Sequence, residues 1–316
     1  MTTFPSDNDR KKVGWICTYT PEEVIMAAGF TPYRLLPQPG VGNPDDLFPP
    51  NICPYVRQIV RGMREGTYPD LEGVVVAHSC NAMMHLYNVL RDEFDGFVYL
   101  LDLPRHRGEG ALDFFTRELK MLADFLGLEG ETVTVESLKE ANLVCRKQEE
   151  VKGNFLSGKR EQIPALILAG GIPPQNMVDL LEETSEYLVL PENCTGLRCL
   201  QGELPDLGSR REDESTVSLL QVIARAYLDK PPCPRIFDFQ YREEYYRQLL
   251  ETYNVQGVIY HDLMFCDMCH YDYLILKELL EKEGVPVLQL KTELGAEEVG
   301  PLKTRIEAFL ELLEEG

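Results

Sequence analysis

No stretch of the 316-residue chain approaches 18 consecutive apolar residues, so nothing in it reads as a membrane-spanning helix. The start, MTTFPSDNDRKK, lacks the hydrophobic segment of a secretory signal, which makes the cytoplasm the expected location. Basic residues are scarce: 31 Lys and Arg stand against 52 Asp and Glu, a formal net charge of −21. A polyphosphate partner needs clustered cations that such a surface cannot supply in excess, so nucleic acid is excluded as an expected partner. Solubility accounts for the acidity, and a mildly basic protein partner is allowed. Low-complexity segments are absent, and the glycine-bearing stretch GGIPPQNM (170–177) lacks the GxxxxGK[ST] pattern of a P-loop. The nine cysteines are an odd number in an expected reducing compartment, which argues against a disulfide framework.

What is present is a soluble-protein core, 44% hydrophobic, in a chain long enough for two domains. Short apolar runs rich in Val and Ile occur at 13–20, 71–80, 96–104, 163–171, 186–194, 255–266 and 285–293, with the length and composition of buried parallel strands. Helical patterns lie between them. PEEVIMAAG starts with Pro and two acids and stops at Gly29, and 109–128, 134–156 and 304–315 carry apolar faces of 3.6-residue period. Strands alternating with helices predict an α/β fold with parallel sheets. The polar SGKREQ after the long 134–156 helix is the candidate boundary, giving an N-terminal α/β domain over 1–158 and a C-terminal one over 159–316. SRREDES (209–215) reads as a charged, solvated loop.

The cysteines repeat. Cys17, Cys53 and Cys80 are spaced by 36 and 27 residues, and Cys194, Cys233 and Cys266 by 39 and 33. Cys53 and Cys233 each precede a proline, and each is followed by a helix and then a "GV" strand that ends on the third thiol. This reads as two related halves. In open parallel sheets ligands gather beyond the carboxyl ends of strands, where Cys80, Cys266, Cys194 and Cys17 are expected, so thiols from both domains are expected to converge in an interdomain cleft.

Three chemistries compete for such thiols. Zinc sites supply ligands as close pairs, and only CDMC (266–269) has that spacing. A redox CxxC would need that motif to open a helix, which its place allows. An iron–sulfur cluster accepts widely separated thiolates, and a cubane with three protein ligands leaves one iron open to substrate.

Several segments in order resemble the 2-hydroxyacyl-CoA dehydratase and benzoyl-CoA reductase family, and within it the double-cubane cluster proteins. They include CTYTPEEVIMAAGFTPYRL (17–35), CPYVR (53–57), VVVAHSCNAM (74–83), LPENCTGLR (190–198), ARAYLDKPPCP (224–234) and GVIYHDLMFCDMCHYDY (257–273), and the resemblance runs through nearly the whole chain. It implies two Rossmann-like domains with a cysteine-ligated iron–sulfur cluster in the interdomain cleft, reduced by a separate, dimeric, ATP-hydrolysing activator that carries its own 4Fe-4S cluster. The cluster is either a double-cubane 8Fe-9S cluster or a 4Fe-4S cluster, and the six thiols Cys17, Cys53, Cys80, Cys194, Cys233 and Cys266 in two sets of three suit the former. The implied function is reduction of a small-molecule substrate. The alternatives are a 2-hydroxyacyl-CoA dehydratase subunit with a single four-iron cluster, an electron-storage protein without a substrate of its own, and a structural subunit. A homodimer or heterodimer is expected, with isologous symmetry to match the activator.

Other residues carry paired readings. His78 and His261 are candidates for proton donation or for hydrogen bonds to cluster sulfur, with a structural histidine as the alternative. Arg57, Arg105 and Arg198 follow motif positions and suit an anionic substrate, a cluster's charge, or ordinary salt bridges. Cys145 and Cys199 read as plain cysteines, and Cys269 as either a spare ligand or a neighbour at a helix start. Glu22 and Glu23 favour the N-terminus of their helix.

Overall fold

The computed structural model describes residues 10–38, 47–157, 163–199, 204–211, 214–294 and 299–315, without the side chains of 151–157 and 299. The expected boundary at SGKREQ falls on 157–162, whose last five residues lie outside the described ones. In chain order the elements are β1 (Lys12–Trp15), α1 (Glu22–Ala27), β2 (Thr31–Arg34), α2 (Pro54–Arg64), β3 (Leu71–His78), α3 (Asn81–Glu93), β4 (Phe97–Asp102), α4 (Glu109–Glu129) and α5 (Val135–Ser157). There follow β5 (Ala165–Gly170), α6 (Gln175–Thr184), β6 (Leu188–Glu192), α7 (Thr216–Asp229), α8 (Phe239–Thr252), β7 (Val255–Leu263), α9 (Asp267–Lys282), β8 (Val287–Thr292) and α10 (Val299–Glu315). The fold is α/β, with two four-stranded parallel sheets ordered β2-β1-β3-β4 and β6-β5-β7-β8.

The chain divides into two compact units. Unit 1 takes residues 1–36, 62–156 and 200–230; unit 2 takes 37–61, 157–199 and 231–316.

In unit 1 the central strand β3 buries Val74, Val75, Val76 and Ala77 in succession, so both faces of the sheet are covered. That is why the segment reads as an unbroken apolar run rather than an alternating one. α4 turns Leu112, Phe115, Leu119, Leu122 and Leu126 inward at helical spacing and packs against α7, which buries Leu219, Leu220 and Ile223. α1 ends where expected: Gly29 has φ +86°, the left-handed conformation that stops a helix cheaply only in glycine. Two differences from the sequence pattern stand out. β1 ends at Trp15, leaving Cys17 in the turn beyond it. β2 has no counterpart among the apolar runs, because TPYR is short, half-buried and carries Pro32; proline is tolerated here because β2 is an edge strand.

In unit 2, β5 is buried along its whole length. Leu166, Leu168, Ile259 and Leu290 of its sheet pack against Met177 and Leu181 of α6 and Ile306 and Phe309 of α10. In unit 1 α5 and α7 start on side-chain caps, where Thr134 accepts from the Ser137 amide and Ser215 from the Ser218 amide, and in unit 2 so does α8, where Asp238 accepts from the Tyr241 amide. The helices that follow β3 and β7 do not. Their N-caps are Cys80 and Cys266, and neither side chain makes a capping bond.

Candidate cofactor site

β7 leaves its sheet at Leu263, and the chain turns through Met264 and Phe265 into α9. Phe265 has φ +61°, a left-handed backbone that costs a non-glycine residue roughly 1–2 kcal/mol. That turn sets Cys266 at the N-cap, where first-turn amides and the helix dipole favour a negative charge. The Cys266 thiol is pushed well below the ordinary cysteine value, chiefly by hydrogen bonds from the Cys269 and Cys53 thiols, against burial, and with help from the Cys269 and Met268 amides. Cys269 is pushed well above it, because its proton is held by the Cys266 sulfur and because it is buried. The result is three sulfurs in contact at a helix terminus, Cys266 being the one most easily deprotonated, all three within unit 2.

Cys53 stands immediately before α2. Four residues on, Arg57 is buried and pairs with Glu293, just past the end of β8. On the other side, Gly170 has φ +98°, and the Gly171 carbonyl accepts from His261. A Cβ at Gly171 would stand 3.0 Å from the Leu263 Cβ and 3.4 Å from the Cys269 Sγ, so the end of β5 passes hard against the thiol turn. His261 is buried, with Nδ1 3.3 Å from the Gly171 oxygen and Nε2 2.7 Å from the Thr292 hydroxyl. Burial lowers its pKa to about 4, so the ring is neutral and ties the ends of β5, β7 and β8 together. Beside the turn lies a cavity of about 250 Å³ reached by Cys266, Phe265, Asp262, His270 and Lys291. Its buried Asp262 accepts from Gln289 at 2.7 Å and faces His270 at 3.2 Å.

Cys194 follows β6 in a turn bound at both ends. Arg198 lies 2.5 and 2.6 Å from the two carboxylate oxygens of Glu192, and the Asn193 side chain accepts from the Thr195 amide at 2.9 Å. Burial alone would push the Glu192 carboxyl up, but the Arg198 and Arg242 guanidiniums hold it below the usual carboxylate range. Cys233 precedes α8, and the carbonyl of its neighbour Pro232 accepts from Arg242 at 2.7 Å.

In unit 1, Cys80 caps α3 beyond β3, and Arg105 donates to the Ser79 carbonyl at 2.6 Å. His78 lies 2.7 Å from Asp102 at the end of β4. Cys17 opens a turn whose carbonyl accepts from Thr20. Just beyond, Glu23 is buried, and burial raises its pKa to about 7 against the hydrogen bond from Tyr227. Lys230 is buried nearby; it donates to the Thr18 carbonyl and lies 4.4 Å from the Tyr19 ring centre.

Of the six candidate thiols, Cys80 and Cys266 stand at helix N-caps, Cys53 precedes α2, Cys17 and Cys194 lie in turns just beyond β1 and β6, and Cys233 opens a turn that ends before the Asp238 cap of α8. Cys53 and Cys266 are brought together, and Cys269 joins them. The Glu192, Arg242, Asp272 and Tyr246 side chains that brace unit 2 carry no local pattern that marks them in the sequence.

The family model described as 2-hydroxyglutaryl-CoA dehydratase, D-component, matches residues 17–157 and 141–313. The chain belongs to that family. The (R)-phenyllactyl-CoA dehydratase beta subunit of Clostridium sporogenes is 21% identical, over 96% of this chain and 92% of its own. The putative dehydratase subunit YjiM of Escherichia coli is 23% identical, over 95% and 91%. A benzoyl-CoA reductase subunit of Thauera aromatica is 20% identical, over 96% and 91%. Membership makes the chain an enzyme component of the dehydratase and reductase type. Among the described residues, no set of three or more Cys, His, Asp or Glu side chains surrounds a single-ion position, and no helix is long and apolar enough to cross a membrane. Three sulfurs in contact are nevertheless the donor chemistry that an iron–sulfur cluster takes, so the sulfur group of unit 2 fits that cofactor.

Proposed function

We propose that the chain is the iron–sulfur component of an ATP-dependent two-component enzyme, taking low-potential electrons from a separate activator and delivering them to a small-molecule substrate. The observation that carries this reading is the contact of the Cys53, Cys266 and Cys269 sulfurs at the α9 terminus. The thiolate set comprises Cys17, Cys53 and Cys80 with Cys194, Cys233 and Cys266, two sets of three that suit a double cubane. When bound, the cluster supplies one-electron donation at a potential that no organic side chain reaches. The chain's own residues prepare for it. The Cys266 thiol is already held well below its ordinary value, so it yields its proton on uptake more readily than an unperturbed thiol. His261 stays neutral and holds the strand ends in place rather than carrying charge.

The shared strand order supports two duplicated α/β halves, 1–158 and 159–316. Relatives named as subunits support a multi-subunit assembly, homodimeric or heterodimeric, served by a dimeric activator with a 4Fe-4S cluster. A second reading, a 2-hydroxyacyl-CoA dehydratase subunit with one 4Fe-4S cluster, is favoured by the contact of three thiols within unit 2 alone and by the acyl-CoA named in each of two relatives.

Anaerobic purification followed by iron and acid-labile sulfide analysis tests both readings. About eight irons per chain is the expected result, about four selects the second reading, and none overturns the two together. ATP consumption in step with product, once an activator is supplied, separates an enzyme from an electron store.

A further inference from the structure

Behind the thiol-bearing turns of unit 2 lies a chain of buried charges that the chemistry above does not use. Arg198 grips Glu192 through two bonds, and Arg242 grips Asp272 in the same way, with the Asp272 Oδ2 contact at 2.6 Å. Arg242 also lies 3.7 Å from Glu192, and all four side chains are at most 3% exposed. The Tyr246 hydroxyl donates to Glu192, and Tyr260 lies 2.8 Å from both Asp272 and the Cys269 carbonyl. Burying four charges is a poor way to gain stability, since well-packed apolar residues do as well or better. The connectivity offers the reason. Glu192 and Arg198 clasp the two ends of the Cys194 turn, Arg242 holds the carbonyl that precedes Cys233, and Asp272 and Tyr260 fix the first turn of α9, where Cys269 and its neighbour Cys266 sit.

We infer that Arg198 and Arg242 are positioning residues: through Glu192, Asp272, Tyr246 and Tyr260 they set the mutual placement of the Cys194, Cys233 and Cys266–Cys269 segments, so that the thiols of unit 2 are preorganised for the cluster. The inference rests on the proposed cluster for its purpose but not for its geometry.

The test is the double variant Arg242→Met/Asp272→Leu, which removes one ion pair without stranding a charge, because Glu192 keeps Arg198. Its Tm is expected to stay near that of the wild type. In the metal-free chain, amide exchange over 233–236 and 266–270 is expected to rise about tenfold. In the reconstituted protein, loss of iron to a chelator is expected to become about tenfold faster, with an altered electron paramagnetic resonance spectrum. Wild-type exchange in both turns would overturn the inference. Should the double variant fail to fold, Arg242→Lys decides by the same readouts, because it keeps the charge and loses the paired geometry. A wild-type chain that takes up no iron would sink the functional reading, and the exchange rates would still decide whether the network holds the turns.

Discussion

Units 1 and 2 repeat one strand order and fill the carboxyl ends of their strands differently. In unit 1 cysteines follow the first and third strands in sequence, at Cys17 and Cys80; in unit 2 they follow the second and third, at Cys194 and Cys266, while the first ends in Gly170 and Gly171. Cys80 and Cys266 each follow the third strand of their unit, but Cys17 and Cys194 stand after non-equivalent strands, and Cys53 and Cys233 both lie in unit 2. The buried charges differ as well. Unit 2 neutralises its interior by pairing guanidinium with carboxylate, whereas in unit 1 burial raises the Glu23 pKa to about 7. A shared topology fixes where chemistry can be mounted; the residues at those places decide which chemistry it is.

That contrast can be broken most severely in unit 2. Arg242→Ala leaves Asp272 buried without its partner and is expected to cost about 3–5 kcal/mol in denaturant unfolding, far more than the double apolar variant. Acid and base should then separate the units. His261 has a folded pKa of about 4 against an ordinary 6.5, so the unfolded chain binds the proton first and stability falls as pH drops through that window, by roughly 3 kcal/mol. Glu23 behaves oppositely: its folded pKa of about 7 lies above the ordinary 4.5, so stability falls as pH rises from 4.5 to 7, again by roughly 3 kcal/mol. Amide exchange followed across pH should show the β5–β7–β8 ends loosening as pH falls from 6.5 to 4 and α1 loosening as pH rises from 4.5 to 7, and Glu23→Gln should flatten only the second trend. The smallest effect is expected at Phe265, where Phe265→Gly relieves the left-handed backbone but adds chain entropy, for a net change under about 1 kcal/mol in thermal unfolding.

Much of this was legible in sequence. Buried parallel strands such as β3 and β5 announce themselves as unbroken apolar runs because both faces are covered, and the cysteines at strand ends follow from where such strands stop. β2 escaped because an edge strand with a proline has no apolar run to show. The role of Cys269 was half-visible: a three-residue offset at a helix start puts two sulfurs on one side, but only the fold shows Cys53 joining them. Nothing local marks Arg242 as the partner of Asp272, thirty residues away, or Tyr246 as the partner of Glu192. Such pairs depend on which strands become neighbours, and no window of sequence holds both members.

Gly171 gives the site a molecular feeler gauge. One added methyl group there would press on Leu263 and reach the Cys269 sulfur and the His261 ring at 3.4 and 3.5 Å, three neighbours of the thiol turn at once. The tolerance of that position is therefore a direct measure of how stiffly the thiol turn is backed, and a chain that accepts Gly171→Ala without penalty has a turn able to yield by a few tenths of an ångström.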